Sequence, residues 1–386
     1  MRVVYWGTYD TGKPRTRILI RGLRENGLEV IECHADVWGG IEDKSQVSSW
    51  LKRFHLLFRW LSSYPLLVLR YLRLPKHDVV IIGYMGQLDV LVMWPFAKLR
   101  GVPVVWDAFL SLYDTVVEDR NLIGPKHALA KLLFFWEYLS CRAADLIVLD
   151  TQAHAGYFTE KFKITGKLID AVLVGVESDT FPIRPQSSKR VRSNGGLTVL
   201  FYGQFIPLHG IETIILAARR AANTPLQWVL IGKGQEESKI RSMLDDHPLP
   251  RLKWLPWVPY EELIRWIHRS DICLGIFGNS GKAGRVIPNK VFQILSTGTP
   301  LITRDSPAIR ELLSPEMPGV FLIPPSDSDA LLEALRSFHK QRPKLIGKAL
   351  YRNVMKDIEP FSIGKKLVGL MGGLQKTFTD ARNAQA

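Results

Sequence analysis

The residues best equipped for chemistry lie between Gly275 and Ile302, GIFGNSGKAGRVIPNKVFQILSTGTPLI. An apolar strand runs into a loop with Gly278, Gly281 and Gly284, and the loop carries Lys282 and Arg285. Pro288 suits the start of a helix, which leaves Asn289 and Lys290 in the first turn. A cation there opposes the helix dipole. Cations gathered at a helix N-terminus are explained by a bound polyanion such as a diphosphate. A solvated basic loop is the plain alternative.

Two other loops of the C-terminal half share this character. In LFYGQFIPLHG a strand enters Gly203, a loop with Gln204 and His209 follows, and a helix begins near Gly210. Its amides and helix end suit negative charge, although a βα turn explains it as well. In WVLIGKG, Gly232 and Gly234 supply two glycines of a dinucleotide fingerprint, but the third position is Glu237. No ribose-binding acid ends a following strand, so a tight turn is the better reading than a nicotinamide site.

The N-terminal half offers a loop with Tyr9, Asp10, Thr11 and Gly12, then Arg15 on the following helix. Asp107 ends the strand VVW at a carboxyl edge, where parallel sheets bind ligands. A strand-end cap would explain Asp107 too, and the same holds for Asp114 and His154. Asp327 and Asp329 have the spacing of a metal-binding DxD, but they precede a helix and read as a cap. No metal site is expected.

Short apolar strands alternate with amphipathic helices along the chain, which predicts an α/β protein with parallel sheets. Strands are expected at Val3–Trp6, Glu29–Cys33, Asp78–Ile82, Val102–Trp106, Asp145–Leu149 and Ala171–Val174. The polar stretch Arg184–Gly196 reads as a linker. The pattern then restarts at Leu197–Tyr202, so the spacing gives two Rossmann-like domains with ligands beyond the carboxyl strand ends. The expected boundaries are 1–183 for the first domain, 184–196 for the linker and 197–345 for the second. Residues 346–386 would form a helical tail returning toward the N-terminal domain.

Four segments, in order, resemble retaining glycosyltransferases of family 4, which have the two-Rossmann GT-B architecture. They are Gly203–Gly210, LIGKG, LPWVPYEEL from Leu255 to Leu263, and PNKVFQILSTGTPLI. PRTR and AADLIVLDT in the N-terminal half resemble the family more loosely. The resemblance implies transfer of a sugar from a nucleoside diphosphate sugar, with retained configuration and no metal or other cofactor. The acceptor would be a glycan or lipid-linked glycan of cell-surface polysaccharide synthesis.

The roles assigned follow from these segments, from the opening loop and, for Asp107, from its place at a carboxyl strand end. The diphosphate falls to Gly203, Gln204, His209, Gly210, Lys282, Arg285, Asn289 and Lys290. Ribose and base fall to Gly232, Gly234, Trp257, Val258 and Gln293. Catalysis falls to Asp107, His209 and Arg285, and the acceptor to Tyr9, Asp10, Thr11, Gly12 and Arg15. The sequence departs from the family's pattern at four places. Gln204 and His209 stand where the family has Arg and Lys, and Arg285 and Gln293 where it has two glutamates. A non-catalytic GT-B-like subunit, or a nucleotide-sugar epimerase of the same architecture, would also fit these departures.

Composition bounds the partners. The 386-residue chain is 46% apolar with a net charge of +14, so it is globular and suited to anionic partners. No nucleic-acid-binding pattern is visible, so no nucleic-acid partner is expected. Three distant cysteines, Cys33, Cys141 and Cys273, read as buried thiols in a reducing, cytoplasmic setting. From Lys44 to His77 there are seven Lys or Arg and no acid. Within it Trp50, Phe54, Leu57, Phe58 and Leu61 share one helical face. Residues 45–75 are therefore expected either to lie on an anionic membrane, on the inner face of the plasma membrane, or to pack on the sheet.

Overall fold

The computed structural model describes residues 1–39, 50–185, 196–345 and 350–383, with side chains given for all of these except 50–53, 377 and 379–383. Most of the expected linker and the start of the 45–75 segment lie outside the described residues. The chain packs as two compact units. The first holds residues 1–115, 123–175 and the C-terminal helix. The second holds residues 176–358 together with Val116–Leu122.

The first unit alternates β1 (Arg2–Gly7), α1 (Pro14–Glu25), β2 (Glu29–His34), α2 (Trp50–Leu72), β3 (Val79–Ile82), α3 (Gln87–Arg100), β4 (Val104–Asp107), α4 (Ala128–Ala143), β5 (Leu146–Leu149), α5 (Gln152–Lys161) and β6 (Leu168–Ala171). All pairings are parallel, in the order β2-β1-β3-β4-β5-β6. Successive side chains of a strand point to opposite faces, and both faces are covered. Val4, Trp6, Val80 and Trp106 pack under α2, α3 and α4, while Val3, Tyr5, Ile81 and Val148 pack under α1 and the C-terminal helix. This double coverage is why the strands read as unbroken apolar runs. Gly22 of α1 lets that C-terminal helix touch its backbone: a Cβ there would stand 2.1 Å from the Pro360 carbonyl oxygen.

The second unit runs β7 (Thr198–Tyr202), α6 (Ile211–Arg220), β8 (Gln227–Ile231), α7 (Glu237–Asp246), β9 (Leu252–Leu255), α8 (Tyr260–Arg269), β10 (Ile272–Leu274), α9 (Gly281–Arg285), α10 (Asn289–Ser296), β11 (Leu301–Arg304), α11 (Pro307–Arg310), β12 (Val320–Ile323), α12 (Ser328–Leu345) and α13 (Arg352–Ile358). The C-terminal helix, α14, spans Pro360–Asn383 and belongs to the first unit. The second sheet is also parallel, ordered β12-β11-β10-β7-β8-β9. Chain order reverses between β7 and β10, the switch point where such sheets open a crevice.

One strand lies elsewhere than expected. β6 is Leu168–Ala171, paired with β5, not Ala171–Val174. Val172 and Val174 are buried beyond the strand end, so their apolar signal reports burial and not ladder pairing.

Candidate functional site

The loops after β7 and β10 meet at the switch point of the second sheet, and glycines let their backbones touch. A Cβ on Gly210, whose φ is +62°, would lie 2.5 Å from the Gly278 nitrogen; one on Gly278 would lie 2.3 Å from the Pro207 carbonyl oxygen. The Phe277 and Gly278 amides donate to the carbonyls of His209 and Leu208. Gly232 and Gly234, at φ +152° and +158°, press the loop after β8 against the same place. Their added Cβ atoms would meet the Gly203 oxygen at 1.9 Å and the Phe205 backbone at 2.7 Å. These glycines are thus explained by close backbone approach.

Lys290 is the unusual residue of this site. It occupies the first turn of α10 and is 5% exposed. Its Nζ sits 3.8 Å from the Phe201 ring centre and has no hydrogen-bond partner among the described residues. A Cβ on Gly203, at φ +137°, would lie 2.9 Å from that Nζ, so glycine makes room for the amine beneath the loop. Burial pushes the Lys290 amine well below its ordinary value. A cation–π contact recovers only part of the hydration an ammonium loses.

His209 neighbours Lys290 and closes the 3₁₀ turn Pro207–His209. Its Nδ1 pairs with the Gln204 carbonyl, so that nitrogen carries the proton and Nε2 keeps its lone pair. Burial, then the charges of Lys290 and Arg120, hold its pKa well below the usual histidine value. The expected diphosphate cation at His209 is therefore neutral without a ligand.

The other expected residues distribute unevenly. Lys282 is buried on α9, and Arg285 folds back so that its Nη1 would be 2.6 Å from a Cβ on Gly281. Ala283 of α9 packs with Leu208 and Ile276, which fixes this helix against the loop after β7. Ser280 caps α9 by accepting from the Ala283 amide, and donates to Asp119 Oδ1 at 2.7 Å. Asn289 is half-buried at the start of α10. Gln293 is buried, and its amide oxygen already accepts from the Tyr202 hydroxyl at 3.1 Å, so a ribose must use its remaining lone pair or its NH₂. Trp257 is half exposed on the loop after β9, with Val258 half-buried beside it. Asp327 accepts from the Asp329 and Ala330 amides and caps α12.

Arg304 escaped the sequence reading. It ends β11, is 9% exposed, and its Nη1 donates to the Gly278 carbonyl. A Cβ on Gly284 would lie 3.5 Å from its Nη2. The only signal was a charge closing an apolar strand, LITR.

Comparison with known proteins agrees with this geometry. The sequence profile described as "Glycosyl transferases group 1" matches residues 196–341. The match falls within the C-terminal unit. Over 140 residues the chain is 26% identical to the putative colanic acid biosynthesis glycosyl transferase WcaI of Escherichia coli K12; that match spans 36% of this chain and 34% of WcaI. In fold, 99% of the chain superimposes on all of a sucrose-phosphate synthase from Thermosynechococcus elongatus, at TM-score 0.70 and 16% identity. Likewise 97% superimposes on all of Anabaena HepE in complex with UDP, at TM-score 0.67 and 13% identity. The fold is GT-B.

Outside residues 196–341, the acceptor-side candidates divide into two sets. In the loop after β1, Thr11 and Gly12 are exposed, whereas Tyr9 and Asp10 are buried. Arg15 and Asp107 are 1% and 2% exposed and form a salt bridge of 2.6 Å. Arg15 also donates to the Val172 and Leu149 carbonyls. Burial raises the Asp107 carboxyl pKa while Arg15 lowers it. His154 pairs likewise with Asp150 at 2.7 Å, and Asp114 is buried. These pairs pin the strand ends to the helices that follow or flank them.

Proposed function

We propose that the chain is a glycosyltransferase that moves a sugar from a nucleoside diphosphate sugar to a glycan or lipid-linked glycan. The single observation that carries this is Lys290, a buried amine without a partner, held under a glycine loop at a switch point. A buried unpaired amine is costly, and a ligand diphosphate is the group that offsets it. The WcaI likeness supports an acceptor in cell-surface polysaccharide synthesis. HepE in complex with UDP-glucose supports a uridine donor as the first to try.

In this reading the C1–O bond to the diphosphate breaks as the acceptor oxygen bonds to the same face of the anomeric carbon, its proton passing to the departing diphosphate, so configuration is retained. Charge grows on the departing phosphate. Lys290 and Arg304, with Lys282 and Arg285, neutralise it beside the first turn of α10, where water is excluded. Gln293 and Trp257 hold the nucleoside. A diphosphate draws the Lys290 pKa back toward its ordinary value, so donor binding favours the protonated amine and weakens as pH rises.

The test is UDP released from UDP-glucose, assayed with and without a polyprenyl-diphosphate-linked glycan. Release that depends on the glycan and is lost in Lys290→Met supports transfer. Binding of UDP-glucose without release, for any acceptor, would mark a binding subunit, and conversion of the sugar without acceptor would mark an epimerase.

A further inference from the structure

The N-terminal unit exposes apolar side chains in an ordered way. On α2, Phe54, Phe58, Leu61, Leu69 and Leu72 recur at helical spacing and are exposed, Phe58 by 65%. The inward side of the same helix is filled by Tyr64, Leu67 and Tyr71. The outer stripe is therefore surplus to the core. On α4, Leu132, Phe135 and Leu139 form a second exposed stripe, Phe135 by 56%. Both helices cover the same sheet face. They meet where the Trp60 and Trp136 rings lie 6.3 Å apart.

Charge on these helices has one sign. Arg59, Arg70, Arg73, Lys126 and Lys131 are exposed. Residues 44–77 contain no acid, and residues 121–143 contain only Glu137. Glu137 is fully buried, taking hydrogen bonds from Ser111, from the Leu112 and Tyr113 amides, and from Gln87. Nothing negative is presented beside the stripes on these helices.

We propose that α2 and α4 together form a docking face for an anionic phospholipid surface. Aliphatic and phenyl side chains enter the acyl boundary while the flanking cations meet headgroup phosphates. A second copy of the chain fits poorly, because a twofold contact would set cations against cations. None of the described helices is long and apolar enough to cross a bilayer, so the contact lies in the membrane plane. The Trp60 indole donates to the Thr8 hydroxyl at 3.0 Å, so α2 is tied to the loop carrying Tyr9, Asp10, Thr11 and Gly12. That tie brings a lipid-linked molecule to this loop. The docking face does not depend on the transfer reaction proposed above.

Co-sedimentation with phosphatidylcholine vesicles, with and without phosphatidylglycerol, tests it. The wild-type chain should pellet with the anionic vesicles at low salt and be released at high salt. Phe58→Ser with Phe135→Ser should lower that binding by at least about tenfold, since each removes one large apolar side chain from the contact. The thermal shift given by UDP should be unchanged in this variant, which separates a lost surface from a lost fold or nucleotide site. Equal pelleting with neutral vesicles, unchanged binding by the double variant, or a concentration-dependent dimer that the variant abolishes would overturn the proposal.

Discussion

The two sheets pose the same problem at their carboxyl strand ends and settle it in opposite ways. In the N-terminal unit, ionisable groups near the strand ends are paired within the unit. Arg15 meets Asp107, His154 meets Asp150, and Asp89 accepts from the Thr8 amide and the Thr8 and Tyr64 hydroxyls. In the C-terminal unit Lys290 is left buried with only ring faces above it, and Arg304, Lys282 and Arg285 lie around the same loops. Charge paired internally makes scaffold; the Lys290 amine, which has no hydrogen-bond partner among the described residues, marks a candidate anion site.

Breaking a matched pair should have the largest effect. Asp107→Ala should destabilise the protein by about 3–5 kcal/mol in denaturant unfolding, because it strands the buried Arg15 guanidinium. Arg15→Met combined with Asp107→Leu should recover most of that loss. A double variant as unstable as the single one would mean that the pair does more than pin strands together.

Gly232→Ala comes next, at roughly 1–3 kcal/mol for its backbone conformation alone, with the 1.9 Å approach to the Gly203 oxygen adding to it. It should damage UDP binding as well, since the displaced segment roofs Lys290. A loss of stability with UDP affinity intact would separate this loop from the site.

Asp89 gives a pH signature confined to the N-terminal unit. Burial raises its pKa to about 6 against three hydrogen bonds that lower it. The folded state thus holds the proton more tightly than the unfolded chain. That contribution is complete below about pH 4 and is lost as pH rises through about 6. Urea midpoints of wild type and Asp89→Asn should therefore diverge over that range, the variant gaining relative stability as pH rises. Parallel curves would place Asp89 in a wetter setting than the structure gives it.

The smallest effect is expected at His209, whose pKa burial holds well below the usual histidine value. His209→Lys should tighten UDP binding a few-fold at pH 8, where histidine cannot supply charge. No gain would remove the side chain from the phosphate site.

The sequence announced the frame because buried parallel strands are apolar runs bounded by glycine, and β7, β10 and the PNK turn of α10 all carried that mark. It misplaced β6 because Val172 and Val174 are buried outside the ladder. Arg15 and Asp107 are 92 residues apart, and only the order of strands reveals them as partners. Arg304 was missed for the same reason: β11 must lie beside β10 before its last residue can reach Gly278. Lys290 was visible as a cation, but that it lies under Gly203 against the Phe201 ring needed the fold.

Lys290→Met tests the central claim most directly. The native chain buries this amine at a cost, and the unfolded chain does not. The variant should therefore melt higher than wild type near neutral pH, the gap closing as pH rises toward the ordinary lysine value. In the same experiment UDP should raise the melting temperature of wild type and leave the variant unmoved, a loss of about 1.5–3 kcal/mol of binding. A variant that melts lower than wild type and still responds fully to UDP would show that Lys290 is packing, and that the nucleotide is held elsewhere.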